Sequence, residues 1–482
     1  MKLSRMTRGI ALTDHVGQDV EITSLTCDTR DLLPGGLFAA LKGSQRDGNQ
    51  FIREALDKGA AAVLCEEPPD DPGPWLIAGD PREAYGRLCA NWFGRPGEAM
   101  TLVGVTGTNG KTTTTYLLKH VLEKVLHAKV GLIGTNQVMI GEKILPASRT
   151  TPAPYVLQCL LGQMKGEGCT HVVMEVSSHA LDQRRTAGLD FACGIFTNLT
   201  RDHLDYHGSM EDYYRAKARL FDQCRAGFFN LDDPAGRRLA QSALCSRHTF
   251  GQTRGEAQVL GKNVRLTPRG VEFEVLTQGK SCPVSLPIPG SFSVYNALGI
   301  IACCLQLGCP LEEIAAALAT VPGVKGRVEV VPVPAPYTVI IDYAHTPDAL
   351  EKILKTARDV TRCRLLCLFG CGGDRDRTKR PIMGEIAAEL ADLVILTSDN
   401  PRTEDPEGIM EEVARGFPPG FTAWVSQPDR RKAIREALAM GRAGDVILLA
   451  GKGHETYQEI GRERIHLDER EEIASFFREN TL

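Results

Sequence analysis

Residues 104–122, GVTGTNGKTTTTYLLKHVL, decide the fold of this 482-residue chain. An apolar run, TLVGVT at 101–106, stops at Gly107. A bend containing Thr108 and Asn109 follows, and Gly110-Lys111-Thr112 opens a segment with apolar residues at helical spacing. Strand, glycine-containing bend and helix in that order predict a phosphate-binding loop. The glycines permit the tight turn, and the free N–H groups and dipole at the helix N-terminus face the anion. Lys111 supplies a point charge for the β- and γ-phosphates, and Thr112 a hydroxyl for Mg²⁺. In the usual spelling, G-x-x-x-x-G-K-[ST], the first glycine would fall at position 105, where this chain has Val105.

The loop alone leaves the reaction open. No N-K-x-D tetrapeptide is present to read guanine, which argues against a GTPase switch. The apolar run HVVMEV ends near an acid, Glu175, placed to hold Mg²⁺, but it continues into SSHALDQRR, unlike a motor ATPase.

Around the loop, short apolar runs alternate with helix-like segments, the pattern of α/β domains with mostly parallel sheets. HVVMEV and FACGIFT read as buried strands, and after residue 330 the alternation restarts with YTVIIDY, RLLCLFG, DLVILTS and DVILLAG. Breaks at NWFGRPGEAM (91–100) and at the Pro/Gly-rich 321–338 divide the chain into three expected domains, 1–98, 99–330 and 331–482. A net charge of −4 and a pI near 6.3 give no chain-wide attraction to nucleic acid or anionic membrane. No apolar run approaches the ~20 residues of a membrane span. The basic start has only Ile10-Ala11-Leu12 as an apolar core, too short for a signal peptide, so a cytoplasmic protein is expected. Fifteen cysteines contain no C-x-x-C pair and read as buried free thiols rather than metal ligands.

A second stretch, HGSMEDYYRAKARLF (207–221), predicts a helix capped near Ser209 with Glu211 and Asp212 in its first turn. Lys217 shares its apolar face with Tyr213, Tyr214, Leu220 and Phe221. On pattern alone such a lysine snorkels, its amine in water. The functional reading is an amine whose surroundings lower its pKa enough for reaction or modification. Just upstream, Asp202, His203, Asp205 and His207 are expected in one short loop after a strand, near a metal.

GVTGTNGKTTT, EVSSHAL, TNLTRDHLDYHG, YYRAKARLF, YNALGIIA, GRVE, DYAHTPDAL, FGCGGDRDRTKRPIMG, DNPRTEDP and AGKGHETYQ occur in this order. Together they resemble the signature of the Mur ligases, ATP-dependent amide-bond ligases of peptidoglycan precursor synthesis. The resemblance runs from about residue 22 to the end, and it accounts for Val105, since G-T-N-G-K-T is the family's own loop. It implies an N-terminal α/β domain for the UDP end of the substrate, a central P-loop ATPase domain with a mostly parallel sheet, and a Rossmann-like C-terminal domain for the incoming amino acid. It also implies that Lys217 is carbamylated by CO₂. The carbamate then helps hold one of two Mg²⁺ ions together with Glu175 and His203, with Thr112 on the other.

The resemblance further implies ATP contacts from Gly107, Thr108, Asn109, Gly110, Lys111, Thr112, Thr113, Asn296 near adenine, Arg327 near the phosphates and Asp342 near the ribose, with His345 close by. For the UDP-muramoyl dipeptide it implies Thr29, Gln45, Asn109, Thr150, Thr151, Ser177, Gln183 and Arg185; Ser44 and Arg46 flank Gln45, but GSQRDG departs from the His-Gln-Ala type of spelling. The amino-acid site falls on Arg375, Asp399, Asn400, Pro401, Arg402, Gly451 and Glu455. D-N-P-R is the spelling of the diaminopimelate-adding branch, and lysine-adding relatives depart from it at the arginine. Physically, Pro401 holds Asn400 extended, so that Arg402 is presented from a fixed turn at a strand's carboxyl end. A planar guanidinium grips a carboxylate through two parallel hydrogen bonds, and diaminopimelate carries a distal carboxylate where lysine has none. A monomeric enzyme is expected, with small-molecule substrates and neither nucleic-acid nor membrane partners. The competing expectations are a lysine- or folate-directed ligase and a nucleotide-binding scaffold without turnover.

Overall fold

The computed structural model describes residues 1–15, 19–43, 46–70, 73–253 and 255–480. The chain divides into two compact units, Met1–Val259 with Gly299–Pro310, and Leu260–Leu298 with Leu311–Leu482.

In the first unit a five-stranded sheet runs in the order Asp14–His15, Trp75–Ile77, Ala62–Cys65, Leu37–Ala39, Leu25–Thr26, parallel except at the Asp14–His15 edge. The helix Pro81–Trp92 starts where the Asp80 carboxylate accepts the Glu83 N–H and proline takes the first helical position. Its Ala84, Tyr85, Leu88 and Cys89 pack on Leu37, Leu64 and Leu76.

Six parallel strands then follow in the order Ser246–Gly251, Cys224–Asn230, Phe191–Phe196, Thr101–Thr106, His171–Glu175, Val130–Ile133. Val138–Ile140 and Lys143–Leu145 extend the last edge antiparallel. Their near-continuous apolar reading reflects burial on both faces. The central strand, Thr101–Thr106, delivers the phosphate loop, and its register sets Val105 opposite both Glu175 and Ile195. The helix Lys111–Leu126 buries Leu117, Leu118, Val121 and Leu122 and stops at His127, whose backbone is left-handed.

In the second unit Gly270–Thr277 and Lys280–Leu286 form an antiparallel hairpin. It turns through Gln278 and Gly279, both with positive φ, the twist that a two-residue hairpin loop requires. A six-stranded sheet runs Glu329–Val331, Thr338–Asp342, Val446–Ala450, Leu365–Phe369, Leu393–Thr397, Trp424–Gln427. It is parallel except for its first strand. That edge strand lies inside the Pro-rich stretch read as a break. Pro332, Pro334 and Pro336 follow its last residue, so they leave its ladder with Thr338–Asp342 intact. The core of this sheet is Val339, Ile341, Leu366, Leu368, Ile395, Ile447 and Leu449 under Ile434, Leu438 and Ile473.

All fifteen cysteines are free. Most are buried, as expected of thiols that serve packing, whereas Cys27 and Cys363 are exposed. Among the described residues no helix is long and apolar enough to cross a membrane.

Candidate active site

Gly107 ends the central strand with φ 150°, and a Cβ there would lie 1.9 Å from Thr197 Oγ1. Gly110 precedes the helix at φ 87°. Between them the loop is latched to the segment after the neighbouring strand. Asn109 N–H donates to Asn198 Oδ1 (3.0 Å), while Thr197 Oγ1 and Asn198 Nδ2 donate to Asn109 O (2.6 and 3.2 Å). Thr108 Oγ1 bonds Thr200 O and lies 3.2 Å from Tyr213 Oη. Lys111 Nζ curls back onto Gly107 O and Thr108 O, 2.9 Å each. Thr197, Asn198 and Thr200 were legible only as part of TNLT; nothing in their spacing predicted that they clasp the loop.

At the helix start Thr112 and Thr113 are buried, and Thr112 Oγ1 donates to Glu175 Oε2 (3.1 Å). Glu175 is fully buried at the end of its strand, and its carboxylate also accepts from Thr135 N (2.8 Å) and Thr135 Oγ1 (3.0 Å). Thr135 is a residue that sequence reasoning missed. From it a polar chain runs outward: Thr135 Oγ1 meets Thr150 Oγ1 at 3.0 Å, and Thr151 Oγ1 donates to Glu175 O and accepts from Ser177 N. Ser177 caps the helix Ser178–Asp182. Arg185 donates to Thr151 O and to Gln183 Oε1, and Gln183 Nε2 reaches Tyr206 Oη. Thr150, Thr151, Ser177, Gln183 and Arg185, scattered in the sequence, thus form one network behind Glu175. Thr29 opens a short helical turn in the N-terminal sheet region and is buried, while Arg46 is exposed. Ser44 and Gln45 lie outside the described residues.

Lys217 corrects the snorkelling expectation. Its side chain is buried, Nζ donates to Gly107 O at 2.8 Å, and the ammonium sits 4.5 Å from the Tyr213 ring centre. Burial pushes the pKa of this amine well down, and the charge of Lys111 adds to the shift. The helix bearing it, Met210–Ala218, begins where Ser209 Oγ accepts the Asp212 N–H. The loop expected to hold His203, Asp205 and His207 is instead partly a helical turn, Leu204–His207. His203 precedes it with φ 51°, its Nε2 3.5 Å from Asp202 Oδ2 and its ring 6.2 Å from that of Tyr213. His207 bonds Ser178 Oγ instead.

Among the described residues no three His, Cys, Asp or Glu side chains stand in a metal-binding group. The Glu175 carboxylate and Thr112 hydroxyl are nevertheless hard oxygen donors of the type Mg²⁺ takes, usually alongside water and substrate phosphate. Lys217 as an amine offers no oxygen.

In the second unit Asn296 is buried with its Nδ2 unpartnered, and Arg327 has a buried Nε without a hydrogen-bond acceptor. The Arg327 guanidinium lies 5.5 Å from the Tyr343 ring. Asp342 accepts from Val328 N and Ala344 N; burial raises its carboxyl pKa, against the pull of Arg327. His345 is exposed and bonds Tyr343 O.

The carboxyl ends of three adjacent strands bring together what the sequence assigned to the amino-acid site. Asp399, Asn400 and Pro401 are buried beyond Leu393–Thr397, and Gly451 (φ 114°) leads from Val446–Ala450 to Glu455. At the centre is a residue not foreseen, Lys452. Fully buried, its Nζ contacts Asn400 Oδ1, Glu455 Oε2 (3.0 Å) and Asp399 Oδ1 (3.4 Å). The Asp399 contact is ionic only, for that oxygen lacks a hydrogen-bond donor. Asn400 Nδ2 donates to Glu455 Oε2 (3.1 Å). Arg402 donates through Nε to Glu459 Oε2 (2.9 Å) and through Nη1 to Gly373 O (2.8 Å). Arg375 projects as an exposed side chain from the neighbouring loop.

A phosphate loop on a parallel sheet, joined in one chain to a strand-end cluster of carboxylates and cations, defines a nucleotide-dependent enzyme that handles charged substrates. Comparison with known proteins narrows this. The families described as Mur ligase family, catalytic domain; Mur ligase middle domain; and Mur ligase, glutamate ligase domain match residues 21–79, 105–304 and 326–453. The chain is 44% identical to the UDP-N-acetylmuramoyl-L-alanyl-D-glutamate–2,6-diaminopimelate ligase of Geobacillus kaustophilus, covering 95% of each chain. It is 43% identical to ligase 1 of the same name from Clostridium acetobutylicum, covering 96% of each. A solved structure of a ligase with that name superposes with a TM-score of 0.76 at 32% identity, covering 100% of this chain and 99% of the other. The chain belongs to the Mur ligase family, with its three-domain, mostly parallel α/β architecture.

Proposed function

We propose that the protein is an ATP-dependent amide-bond ligase that adds meso-2,6-diaminopimelate to UDP-N-acetylmuramoyl-L-alanyl-D-glutamate in peptidoglycan precursor synthesis. The observation that carries the reading is identity of 43–44% over 95–96% of the chain with relatives of that name. The free carboxylate of the D-glutamyl residue attacks the γ-phosphorus of ATP, the bond to the β–γ bridging oxygen breaks, and ADP leaves an acyl phosphate. The amine of diaminopimelate then attacks the acyl carbon, the C–O bond breaks, and phosphate departs as the nitrogen loses a proton.

Because several anions meet, the protein's main task is charge neutralisation. Lys111 is assigned to the phosphates, exchanging its two carbonyl partners for the nucleotide, and Arg327 to the same charge. The unpartnered amide of Asn296 suits a base, and Asp342 is assigned to the ribose. When bound, Mg²⁺ would supply charge neutralisation at the phosphates; Glu175, His203 and Lys217 would hold one ion and Thr112 the other. Lys217 takes this part as a carbamate, formed when its neutral amine attacks CO₂ and releases a proton. Burial, which favours the neutral amine, supports that step. Thr29, Gln45, Asn109 and the network from Thr150 to Arg185 are assigned to the UDP-muramoyl dipeptide. Arg375, Asp399, Asn400, Pro401, Arg402, Gly451 and Glu455 are assigned to diaminopimelate. The domains carrying these roles are 1–98, 99–330 and 331–482, in a monomeric, cytoplasmic enzyme.

The test is phosphate release and product mass from the purified protein with the UDP-muramoyl dipeptide, ATP, Mg²⁺ and bicarbonate, offering meso-diaminopimelate or L-lysine separately. Turnover with diaminopimelate and at least a hundredfold less with lysine is expected, because a charged group left unmatched costs more than the ~1–3 kcal/mol of a neutral one. No phosphate with either amine sinks the reading.

A further inference from the structure

We infer that Glu459 is a positioning residue for amino-acid specificity: backed by Arg464, it fixes the Arg402 guanidinium so that Nη2 is left for the distal carboxylate of the substrate. The inference rests on the diaminopimelate reading and supplies the part of the pocket that reading lacks, the groups that aim Arg402.

Arg402 is held at every level. Its backbone has φ 50°, in the left-handed region that side-chain-bearing residues rarely adopt. The segment Tyr457–Ile460, half of a small hairpin with Glu463–His466, imposes this conformation from one side. Arg402 N–H donates to Glu459 O (3.1 Å), Gly461 N–H donates to Arg402 O (2.7 Å), and Arg402 bridges Ile460 in parallel register. The same segment then takes hold of the side chain. Glu459 Oε2 occupies Nε, and Gly373 O occupies one donor of Nη1. Of the five donor hydrogens of a guanidinium, those on Nη2 have no acceptor among the described residues.

Glu459 is itself fixed from behind. Its other oxygen, Oε1, accepts from Arg464 Nε (2.9 Å) and lies 2.8 Å from Arg464 Nη2. Arg464 is largely exposed and stacks on Tyr457, 4.5 Å from the ring centre. Glu459 therefore divides its carboxylate, one oxygen to each arginine, and the array Arg402–Glu459–Arg464 carries one net positive charge. That charge matches a single carboxylate. An arginine without this brace would distribute over many rotamers, and the substrate would have to select one of them. An amine without a distal carboxylate leaves Nη2 unmatched and gains nothing from the brace.

Steady-state kinetics of the full chain test this with Glu459→Ala, Glu459→Gln and Arg464→Met, varying diaminopimelate, L-lysine and ATP in turn. Glu459→Ala is expected to raise KM for diaminopimelate about tenfold or more, the scale of one hydrogen bond to a charged group. Its kcat should stay within about threefold and its KM for ATP should not move. Glu459→Gln retains an acceptor for Nε and should restore most of the affinity. Selectivity for diaminopimelate over lysine should fall in Glu459→Ala by a similar factor. Arg464→Met, at an exposed position where the fold does not depend on the side chain, should raise KM for diaminopimelate about threefold and leave that for ATP unchanged. The inference is overturned if Glu459→Ala or Arg464→Met keeps the wild-type KM for diaminopimelate, or if the KM values for ATP and diaminopimelate rise together. A wild-type enzyme that does not turn over diaminopimelate overturns the underlying reading as well, and is recognised by failing before any variant is made.

Discussion

Gly107 shows how much a single residue decides. Its φ is 150°, and a methyl group at this position would approach Thr197 Oγ1 to 1.9 Å, so no side chain fits where the strand turns into the phosphate loop. Gly107→Ala is expected to weaken ATP binding by about a hundredfold in calorimetry. Backbone strain of this kind costs about 1–3 kcal/mol, so the protein should still fold. Glycines, Lys111 and Thr112 were legible in the sequence because a phosphate loop is local chemistry. The depth of Lys217 was not. An apolar helix face accommodates a buried amine and a snorkelling one equally well, and the deciding partner, Gly107 O, lies 110 residues away in the chain. Thr135, Lys452 and Glu459 escaped for the same reason: each acts through a partner that only the fold brings near.

At the scale of elements, sequence and structure agree closely wherever burial is two-sided. The run at 101–106 is the strand Thr101–Thr106, and the helix predicted after Gly110 spans Lys111–Leu126. Disagreement appears where polar residues dominate, as in the turn Leu204–His207, whose helical hydrogen bonds leave no apolar period to read. The cap of the neighbouring helix was legible and has consequences. Ser209 accepts the Asp212 N–H and donates to the Asp212 carboxylate at 2.6 Å. Ser209→Ala is expected to cost about 1 kcal/mol. Because that helix carries Tyr213 and Lys217, hydrogen exchange at residues 212–218 should quicken, and Lys217 should become more reactive toward amine acylation in a mass-mapped labelling experiment.

At the scale of the whole molecule, the most deeply buried ion pair among the described residues joins distant stretches of the second unit. Arg430 and Glu469 are both fully shielded, with Nε and Nη2 at 3.0 and 2.7 Å from Glu469 Oε1 and a further bond from Nη2 to Ala450 O. Burial raises the Glu469 carboxyl pKa even with the arginine beside it. Arg430→Met should cost about 3–5 kcal/mol by stranding that carboxylate, while Arg430→Met with Glu469→Leu should recover most of the loss. The sign of the pH dependence follows. A carboxyl whose folded pKa is raised keeps its contribution below the unfolded value near 4.5 and loses it as pH rises through the folded value. Thermal melts of Arg430→Met should therefore show a Tm that falls as pH increases over that range, more steeply than wild type. Neither partner of this pair is singled out by sequence spacing, since a buried arginine and a surface one are spelled alike.

The division of the chain also bears on how the protein is made. Its first unit is written in two stretches, Met1–Val259 and Gly299–Pro310, separated by a segment that belongs to the second. During synthesis from the N-terminus, the unit bearing the phosphate loop stays unfinished until residue 310 has left the ribosome. A fragment cut at residue 259 omits part of the first unit, and one cut at 310 strands part of the second, so neither half is obtained by simple truncation.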